Sequence, residues 1–261
     1  MELISSAQNA VFKHVHKLVR TRRERVKTQQ TLLDGTHLLA AWLDADRAVL
    51  RIFVSEQGLA RQEVQQLLAR SMAPVVQLSA PLFAELSELP SASGILALVE
   101  IPAAVPAIKS GFILALDGVQ DPGNVGAILR TAQAAGVDQV WLSAECADIW
   151  SPKVLRAGMG AQTVLTMIDH ADLPRLLAQF DGAIAATTLD GAVDLYSAPL
   201  QGALALVLGS EGAGVSVAVL NMATVKVKIP MMDGIESLNV GHAAAICLYE
   251  VRRQNAVGIS S

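Results

Sequence analysis

Three short segments in the second half of the chain combine glycine with amide, hydroxyl, carboxylate or guanidinium side chains. Asn124 is followed six residues later by Arg130, and residues 209–214 read Gly-Ser-Glu-Gly-Ala-Gly. Ser237 and Asn239 lie close to the start of the last helical stretch. Glycines allow backbone amides to approach a ligand closely, and the glutamate adds a fixed acceptor. These segments therefore predict a ligand site built largely from backbone groups.

Each segment on its own also fits an ordinary structural role. Asn124 is a favourable helix N-cap, residues 209–214 form a glycine-rich turn, and Ser237 is a favourable N-cap for the last helix. The glycine-rich segment matches neither a dinucleotide fingerprint nor a phosphate loop that ends in Gly-Lys-Ser/Thr. This mismatch argues against a nucleotide-dependent oxidoreductase.

The scaffold that would bring the segments together is an α/β fold with a mostly parallel sheet. Its strands read as near-continuous apolar runs, as strands do when helices cover both faces of a sheet. Loops that follow parallel strands gather at the carboxyl edge of the sheet, where ligands bind. The predicted strands are residues 112–116, 139–142, 165–168, 183–187, 203–208 and 225–229. The predicted helices are residues 125–135, 151–159, 173–180, 217–222 and 238–253.

The first half predicts a separate, small α/β domain. A basic amphipathic helix is expected over residues 9–26, and prolines near residues 101–111 are typical of a linker. We therefore place one domain at residues 1–104 and a second at residues 105–261. Within the first domain, the predicted strands are residues 31–33, 51–55, 75–78 and 95–101. The predicted helices after the basic one are residues 36–45, 57–69 and 81–86.

Composition and charge restrict the class of protein. The 261-residue chain is 52% hydrophobic, and we find no apolar run long enough to cross a membrane and no secretory signal. We therefore expect a cytoplasmic, globular protein. Cys146 and Cys247 have no ligand partners at metal spacing, which predicts buried thiols and no metal. The net charge is −4, yet seven lysines and arginines and only one glutamate lie between Lys13 and Lys27. Such a local basic face can bind phosphates on an acidic protein.

Taken together, in order and at their spacing, the three segments resemble the SpoU (TrmH-like) family of SPOUT methyltransferases. The first family motif corresponds to Asn124 and Arg130. The second and third motifs correspond to Gly209, Glu211, Gly214, Pro230, Met231, Ser237, Leu238, Asn239 and Val240. The motif-bearing region spans residues 112–253, and the first half is similar to the family's RNA-binding extension, which resembles ribosomal protein L30e.

The resemblance implies a methyltransferase that uses S-adenosylmethionine to methylate a ribose 2′-hydroxyl in structured RNA, ribosomal RNA before transfer RNA. It also implies a SPOUT fold with a deep trefoil knot, and a homodimer whose active site is completed across the interface. The residues it assigns to the cofactor are Leu208, Gly209, Gly214, Ile229, Met231, Leu238 and Val240. The residues it assigns to catalysis are Asn124, Arg130, Glu211, Ser237 and Asn239.

Roles within the catalytic set follow from the resemblance and from side-chain chemistry. Because a guanidinium keeps its proton in proteins and cannot serve as a base, we interpret Arg130 as a phosphate clamp that also stabilises the forming alkoxide. Asn124 is expected to orient Arg130 or the ribose, and Glu211 to hold an arginine or a backbone amide. Ser237 and Asn239 are expected to contact the substrate and each other. The proton acceptor stays open, as does the question whether Arg130 serves its own subunit or the partner.

The basic residues of the first half are candidates for RNA contacts, although a solvated helix face is the simpler explanation for a charge run. Beside a methyltransferase domain we favour RNA, because phosphate neutralisation supplies most of the sequence-independent affinity. The candidates are Lys13, Lys17, Arg20, Arg22, Arg23 and Arg25, with Lys153 and Arg156 as a second group. A non-catalytic RNA-binding or ribosome-assembly factor that keeps the fold is the alternative function. The intact catalytic set argues against it.

Overall fold

The computed structural model describes residues 1–87, 93–234 and 237–256, and the described chain divides into two compact units. The first unit comprises Met1–Ala103 together with Trp150–Thr163. The second contains Ala104–Ile149 and the described chain from Val164 onward. The segment Trp150–Thr163 therefore packs with the first unit, whereas the sequence-based division placed it in the domain 105–261.

The first unit is built on a mixed five-stranded sheet in the order β1-β4-β3-β5-β2. The β1–β4 and β4–β3 pairs are parallel, and the β3–β5 and β5–β2 pairs are antiparallel. Its strands are β1 (Glu2–Ile4), β2 (Gln30–Asp34), β3 (Arg51–Val54), β4 (Val75–Leu78) and β5 (Ile95–Glu100). Its helices up to Ala103 are α1 (Ala10–Arg20), α2 (Arg22–Thr28), α3 (Thr36–Asp44), α4 (Glu56–Leu59), α5 (Gln62–Arg70) and α6 (Ala80–Leu86).

Helices cover this sheet because each presents an apolar stripe. Phe12, Val15 and Leu18 of α1 pack with Leu82 and Phe83 of α6 in one hydrophobic core. The side chains at these α1 positions recur every three residues, as an amphipathic helix requires. The predicted basic amphipathic helix is thus present in its first part, with its cations on the face away from the core.

Three details of the first unit differ from the prediction. The helix expected over residues 9–26 is two helices, because Thr21 adopts an extended conformation with φ −132° and ψ 124°. The helix expected over residues 57–69 is likewise divided into α4 and α5. Strand β1 was not predicted, since its three residues form a strand only by pairing with β4.

The second unit is built on a seven-stranded parallel sheet in the order β10-β12-β9-β11-β6-β7-β8. Its strands are β6 (Phe112–Asp117), β7 (Gln139–Leu142), β8 (Met167–Ile168), β9 (Ala183–Thr187), β10 (Val193–Asp194), β11 (Leu204–Gly209) and β12 (Val225–Lys228). The helices that follow in chain order are α7 (Pro122–Ala135), α8 (Pro152–Gly158), α9 (Leu173–Leu177), α10 (Val217–Leu220) and α11 (Val240–Ala256), of which α8 belongs to the first unit.

Both faces of the parallel sheet are covered, as predicted. Leu173, Leu177 and Val219 from α9 and α10 pack on one face in a core that includes Ile113 and Val207. On the other side α11 contacts α7 and β11. The central strands β6 and β11 are almost completely buried, which explains why their sequences read as uninterrupted apolar runs.

The two cysteines are buried and carry no disulfide, so the prediction of buried thiols is confirmed. Burial raises the pKa of Cys247 to about 12 and also raises the pKa of Cys146. Neither thiol is therefore ionised near neutral pH, and both act as small packing groups.

Candidate active site

The polar loops lie at one edge of the parallel sheet because four neighbouring strands end there. Gly209 at the end of β11 pairs with Asp117 at the end of β6, and β9 and β12 follow on the other side of β11. The loop that leads into α7 therefore lies beside the glycine-rich loop after β11. The sequence-based expectation that these segments meet at the carboxyl edge is met.

The glycine-rich loop is folded back tightly on itself. Ser210 and Gly214 exchange two backbone hydrogen bonds, at 3.1 and 3.0 Å, and Gly214 has a φ of 68°. A Cβ added to Gly209 would lie 2.0 Å from the backbone carbon of Gly214, so this position accepts only glycine. The turn holds Glu211 at its exposed tip.

Asn124 is the third residue of α7 and does not cap the helix, which corrects the sequence-based expectation. The helix starts at Pro122 with Asp121 as N-cap, whose carboxylate accepts from the Asn124 backbone N–H at 2.8 Å. Proline is favoured at this first position, where its missing donor costs nothing. The Asn124 side chain is consequently free to reach the next loop, and its amide nitrogen donates to Glu211 Oε1 at 2.6 Å.

Asn239, and not the expected Ser237, caps the last helix. Its Oδ1 accepts from the backbone N–H groups of Gly241 at 2.9 Å and His242 at 3.3 Å. Its Nδ2 donates to Asn124 Oδ1 at 3.0 Å. The donors and acceptors in this series of hydrogen bonds are fixed at both ends. At one end a backbone N–H can only donate, and at the other end a carboxylate can only accept. Asn239, Asn124 and Glu211 thus join the three motifs through side-chain hydrogen bonds.

Arg130 is exposed on α7, and within the described part of the chain its guanidinium forms no hydrogen bond or ion pair. Asn124 and Glu211 contact each other and do not hold Arg130, so this part of the expected roles is not seen. A guanidinium with all its donors available suits binding of an external anion such as phosphate.

A cavity of about 620 Å³ opens beside the glycine-rich loop. It is lined by all seven residues that the resemblance assigns to the cofactor: Leu208, Gly209, Gly214, Ile229, Met231, Leu238 and Val240. Glu211 and Ser237 line it too, whereas Asn124, Arg130 and Asn239 do not. The cavity is therefore the candidate cofactor site at this edge of the sheet, and Asn124, Arg130 and Asn239 lie outside its wall.

Sequence reasoning missed a further part of the cavity wall. Residues 187–190, Thr-Thr-Leu-Asp, comprise the last residue of β9 and the start of the loop after it. They line the cavity, as does Lys228 at the end of β12. The sequence contained a signal for this part of the wall, because residues 183–187 were predicted as a strand of the same parallel sheet. Polar residues directly after that strand lie at the same carboxyl edge as the three motifs.

The predicted RNA-contacting residues of the first unit are mostly exposed. Lys13, Lys17 and Arg20 share one face of α1, and Arg23 is exposed on α2. Lys153 is exposed on α8. Arg22 and Arg156 are half-buried.

Arg25 is a correction to this group. It is only 4% exposed, and its guanidinium donates to the backbone carbonyls of Leu18 and Val19 near the end of α1. Cations close to a helix C-terminus satisfy carbonyls that lack partners within the helix. Arg25 therefore stabilises the α1–α2 corner and is not available to a phosphate.

Within residues 1–87, 93–234 and 237–256, no cluster of three or more His, Cys, Asp or Glu side chains is arranged to hold a metal ion. The helices of the same residues include none with the length and apolarity needed to cross a membrane.

Two family models match the chain. The model of the SpoU rRNA Methylase family matches residues 111–249, which contain all three motifs. A model of the MRM3-like substrate binding domain matches residues 9–97 in the first unit.

Individual relatives match nearly the whole chain. It is 34% identical over 260 residues to an uncharacterized tRNA/rRNA methyltransferase of Synechocystis, covering 96% of this chain and 93% of the relative. It is 32% identical over 255 residues to RlmP, the 23S rRNA (guanosine(2553)-2′-O)-methyltransferase of Bacillus subtilis, covering 97% and 100%. The crystal structure of the SpoU methyltransferase AviRb from Streptomyces viridochromogenes, in complex with the cofactor AdoMet, has a TM-score of 0.88 and 25% identity, covering 97% of this chain and 100% of that one.

Proposed function

The chain belongs to the SpoU rRNA methylase family, and we propose from this premise that it methylates ribosomal RNA on a ribose 2′-hydroxyl. It is an RNA 2′-O-ribose methyltransferase that depends on S-adenosylmethionine. The observation that carries this conclusion is the convergence of the three motifs on one cavity, through the hydrogen-bonded chain from Asn239 to Glu211.

The residues around the cavity fit the cofactor. A volume of about 620 Å³ lies within the usual range of small-molecule sites. Leu208, Ile229, Leu238 and Val240 give an apolar wall for a purine ring, and the backbone of residues 209–214 provides hydrogen-bonding groups close to it. S-adenosylmethionine supplies an activated methyl group on a sulfonium. The chain's own contribution is to hold that group and the RNA ribose in line with each other.

Glu211 is suited to orient the ribose hydroxyl. One carboxylate oxygen accepts from Asn124, and the other has no partner among the described residues. Glu211 also lines the cavity, so its second oxygen can accept a hydrogen bond from the 2′-hydroxyl and, in turn, its proton. Asn124 fixes the carboxylate for this task, because Asn124 is itself held by Asn239.

Arg130 complements this arrangement by supplying positive charge. Its exposed guanidinium can bind the phosphate next to the target ribose and stabilise the negative charge that develops on the ribose oxygen. The exposed cations of α1, α2 and α8 would bind the RNA backbone at further phosphates. An enzyme with this substrate works in the cytoplasm, where ribosomal RNA is modified.

The exposed side of α7 supports a homodimer. Ala127 and Ala134 are exposed on the same side of the helix as Arg130, and Tyr249 on the neighbouring α11 is 51% exposed. Small side chains let helices approach closely, and a half-exposed tyrosine is typical of interfaces. A second copy bound there would bring Arg130 close to its partner, which fits an arginine that lies outside the cavity wall of its own chain.

The strand order supports a knotted chain. Strand β12 lies between β9 and β10, although these two strands are joined directly by residues 188–192. This arrangement supports the deep trefoil knot that the family resemblance implies.

The proposed function is tested by mapping 2′-O-methyl groups on total RNA from cells with and without the gene. One ribosomal RNA position should lose its methyl group without the gene and regain it with the wild-type chain, but not with Asn124→Ala. Transfer of a labelled methyl group to an RNA fragment with that position should give the same result in vitro. Binding of ribosomal RNA without any methyl transfer would instead favour the non-catalytic assembly factor.

A further inference from the structure

Among the described residues, three charged residues line the cavity: Asp190, Glu211 and Lys228. Glu211 is held by Asn124 through a 2.6 Å hydrogen bond. Asp190 and Lys228 differ from it, because in the described part of the chain neither side chain forms a hydrogen bond or an ion pair. Only the backbone N–H of Asp190 is engaged, by the hydroxyl of Thr188.

The two unpaired charges lie at the ends of adjacent strands. Thr187 pairs with Val227, and the backbone N–H of Thr188 donates to the Val227 carbonyl at 3.1 Å. Lys228 directly follows that carbonyl, and Asp190 is two residues beyond Thr188. Two exposed residues of opposite charge thus line the same cavity from neighbouring strands, and their side chains do not bind each other.

We propose that Asp190 and Lys228 bind the amino-acid end of S-adenosylmethionine, Asp190 the α-ammonium group and Lys228 the α-carboxylate. This inference rests on the proposed function. A zwitterion that enters a partly desolvated pocket needs an acceptor for its ammonium and a donor for its carboxylate. Two lining residues of opposite charge whose side chains are not paired with each other can meet that need, whereas the rest of the wall is apolar or uncharged apart from Glu211.

Calorimetric titration of the full chain tests the assignment with three probes. S-adenosylmethionine and S-adenosylhomocysteine both carry the amino-acid end, and 5′-methylthioadenosine lacks it. We expect Asp190→Asn and Lys228→Met each to weaken binding of the first two probes about tenfold and to leave methylthioadenosine unchanged, since each removes one charge-assisted hydrogen bond. Asp181→Asn, two residues before β9, and Lys226→Met in β12 are matched controls outside the cavity wall, and these variants should bind all three probes like the wild type.

Several outcomes would overturn the assignment. Unchanged affinity of both variants for S-adenosylhomocysteine excludes it. An equal loss for methylthioadenosine means that the substitutions disturb the loop. If Asp190→Asn weakens the binding of S-adenosylmethionine alone, the Asp190 carboxylate contacts the sulfonium and not the α-ammonium group. Failure of the wild-type chain to bind any probe would contradict the proposed function itself, so the two failures are distinguishable.

Discussion

The side-chain amide of Asn239 donates a 3.0 Å hydrogen bond to the side-chain oxygen of Asn124, which lies 115 positions earlier in the chain. The oxygen of the same amide caps α11. One side chain therefore determines where the last helix begins and also fixes the residue that holds Glu211. Because the two tasks use different atoms, they can be separated by substitution.

Asn239→Asp should greatly slow methyl transfer while leaving stability nearly intact. The new carboxylate still accepts from the Gly241 N–H, and negative charge at a helix N-terminus is favourable. It cannot donate to Asn124, so two acceptors face each other and Glu211 loses its fixed orientation. We expect kcat to fall about 100-fold, the size of the loss when one positioned polar group is removed.

Asn239→Ala is the matched comparison, because it removes the cap as well. Its free energy of unfolding should fall by about 1 kcal/mol, in addition to the loss of activity. Urea unfolding and methyl-transfer rates on both variants separate the two contributions. Full activity of Asn239→Asp would show that the hydrogen bond to Asn124 is not needed for the reaction.

Arg130→Ala should abolish methyl transfer and leave S-adenosylmethionine affinity nearly unchanged. The reason is that Arg130 is exposed and lies outside the cavity wall. Arg130→Lys keeps the charge but loses the bidentate geometry, so it should recover only part of the rate. Rates and calorimetric affinities measured on the same preparations check this prediction, and a parallel loss of both quantities would place Arg130 in the cofactor site.

Ala134→Glu should convert a dimer into monomers. The substitution places a charge on the exposed side of α7 that we propose as the interface, where a buried unpaired charge is costly. Gln66→Glu adds the same charge at an exposed position on α5 of the first unit, away from α7, and it should leave the dimer intact. Sedimentation equilibrium measures the oligomeric state of both variants and of the wild type. A monomeric wild type would refute the proposed interface.

The sequence predicted the parallel sheet well because buried strands have few choices. A strand covered on both faces must be apolar throughout, so β6 and β11 were recognisable from composition alone. Strand β1 and the short strand β10 were missed for the opposite reason. Each has only two or three residues, and pairing with β4 or β12 defines them.

The site residues were predicted by type, and their partners were not. Asparagine serves equally well as a helix cap and as a tertiary hydrogen-bonding group, so local sequence could not show that Asn239 caps and Asn124 bridges. The start of α7 at Pro122 makes Asp121 the cap, and the Asn124 side chain is therefore left to bridge to another loop. Charge counting failed at Arg25 in a similar way, since a long side chain can turn inward to backbone carbonyls.

Lys17→Ala combined with Arg23→Ala should weaken RNA binding and flatten its salt dependence. Both side chains are exposed on α1 and α2, and each phosphate contact releases about one counterion. The slope of log affinity against log salt concentration should decrease in magnitude by about 2. Arg61→Ala with Arg70→Ala removes the same charge from the same unit and is the control. Equal slopes for the two double variants would remove α1 and α2 from the RNA-binding surface.

Glu250→Gln should destabilise the protein near neutral pH and have little effect in acid. Glu250 is buried on α11, where it accepts from Arg253 at 2.7 Å and from Gln254 at 2.8 Å. The hydrogen bond from Arg253 lowers the pKa of Glu250 below 4.5. A carboxyl whose pKa is lower in the folded state stabilises that state above its unfolded pKa, and the stabilisation is lost as the pH falls through the folded pKa. The urea midpoints of wild type and variant should therefore differ at pH 7 and converge as the pH falls below about 4.5.

Glu63→Gln, an exposed glutamate on α5, should show no such pH-dependent difference. Because Gln254 also anchors residues 198 and 200 to α11, a pH-independent loss in Glu250→Gln would mean that the residue acts by packing that segment and not by its charge.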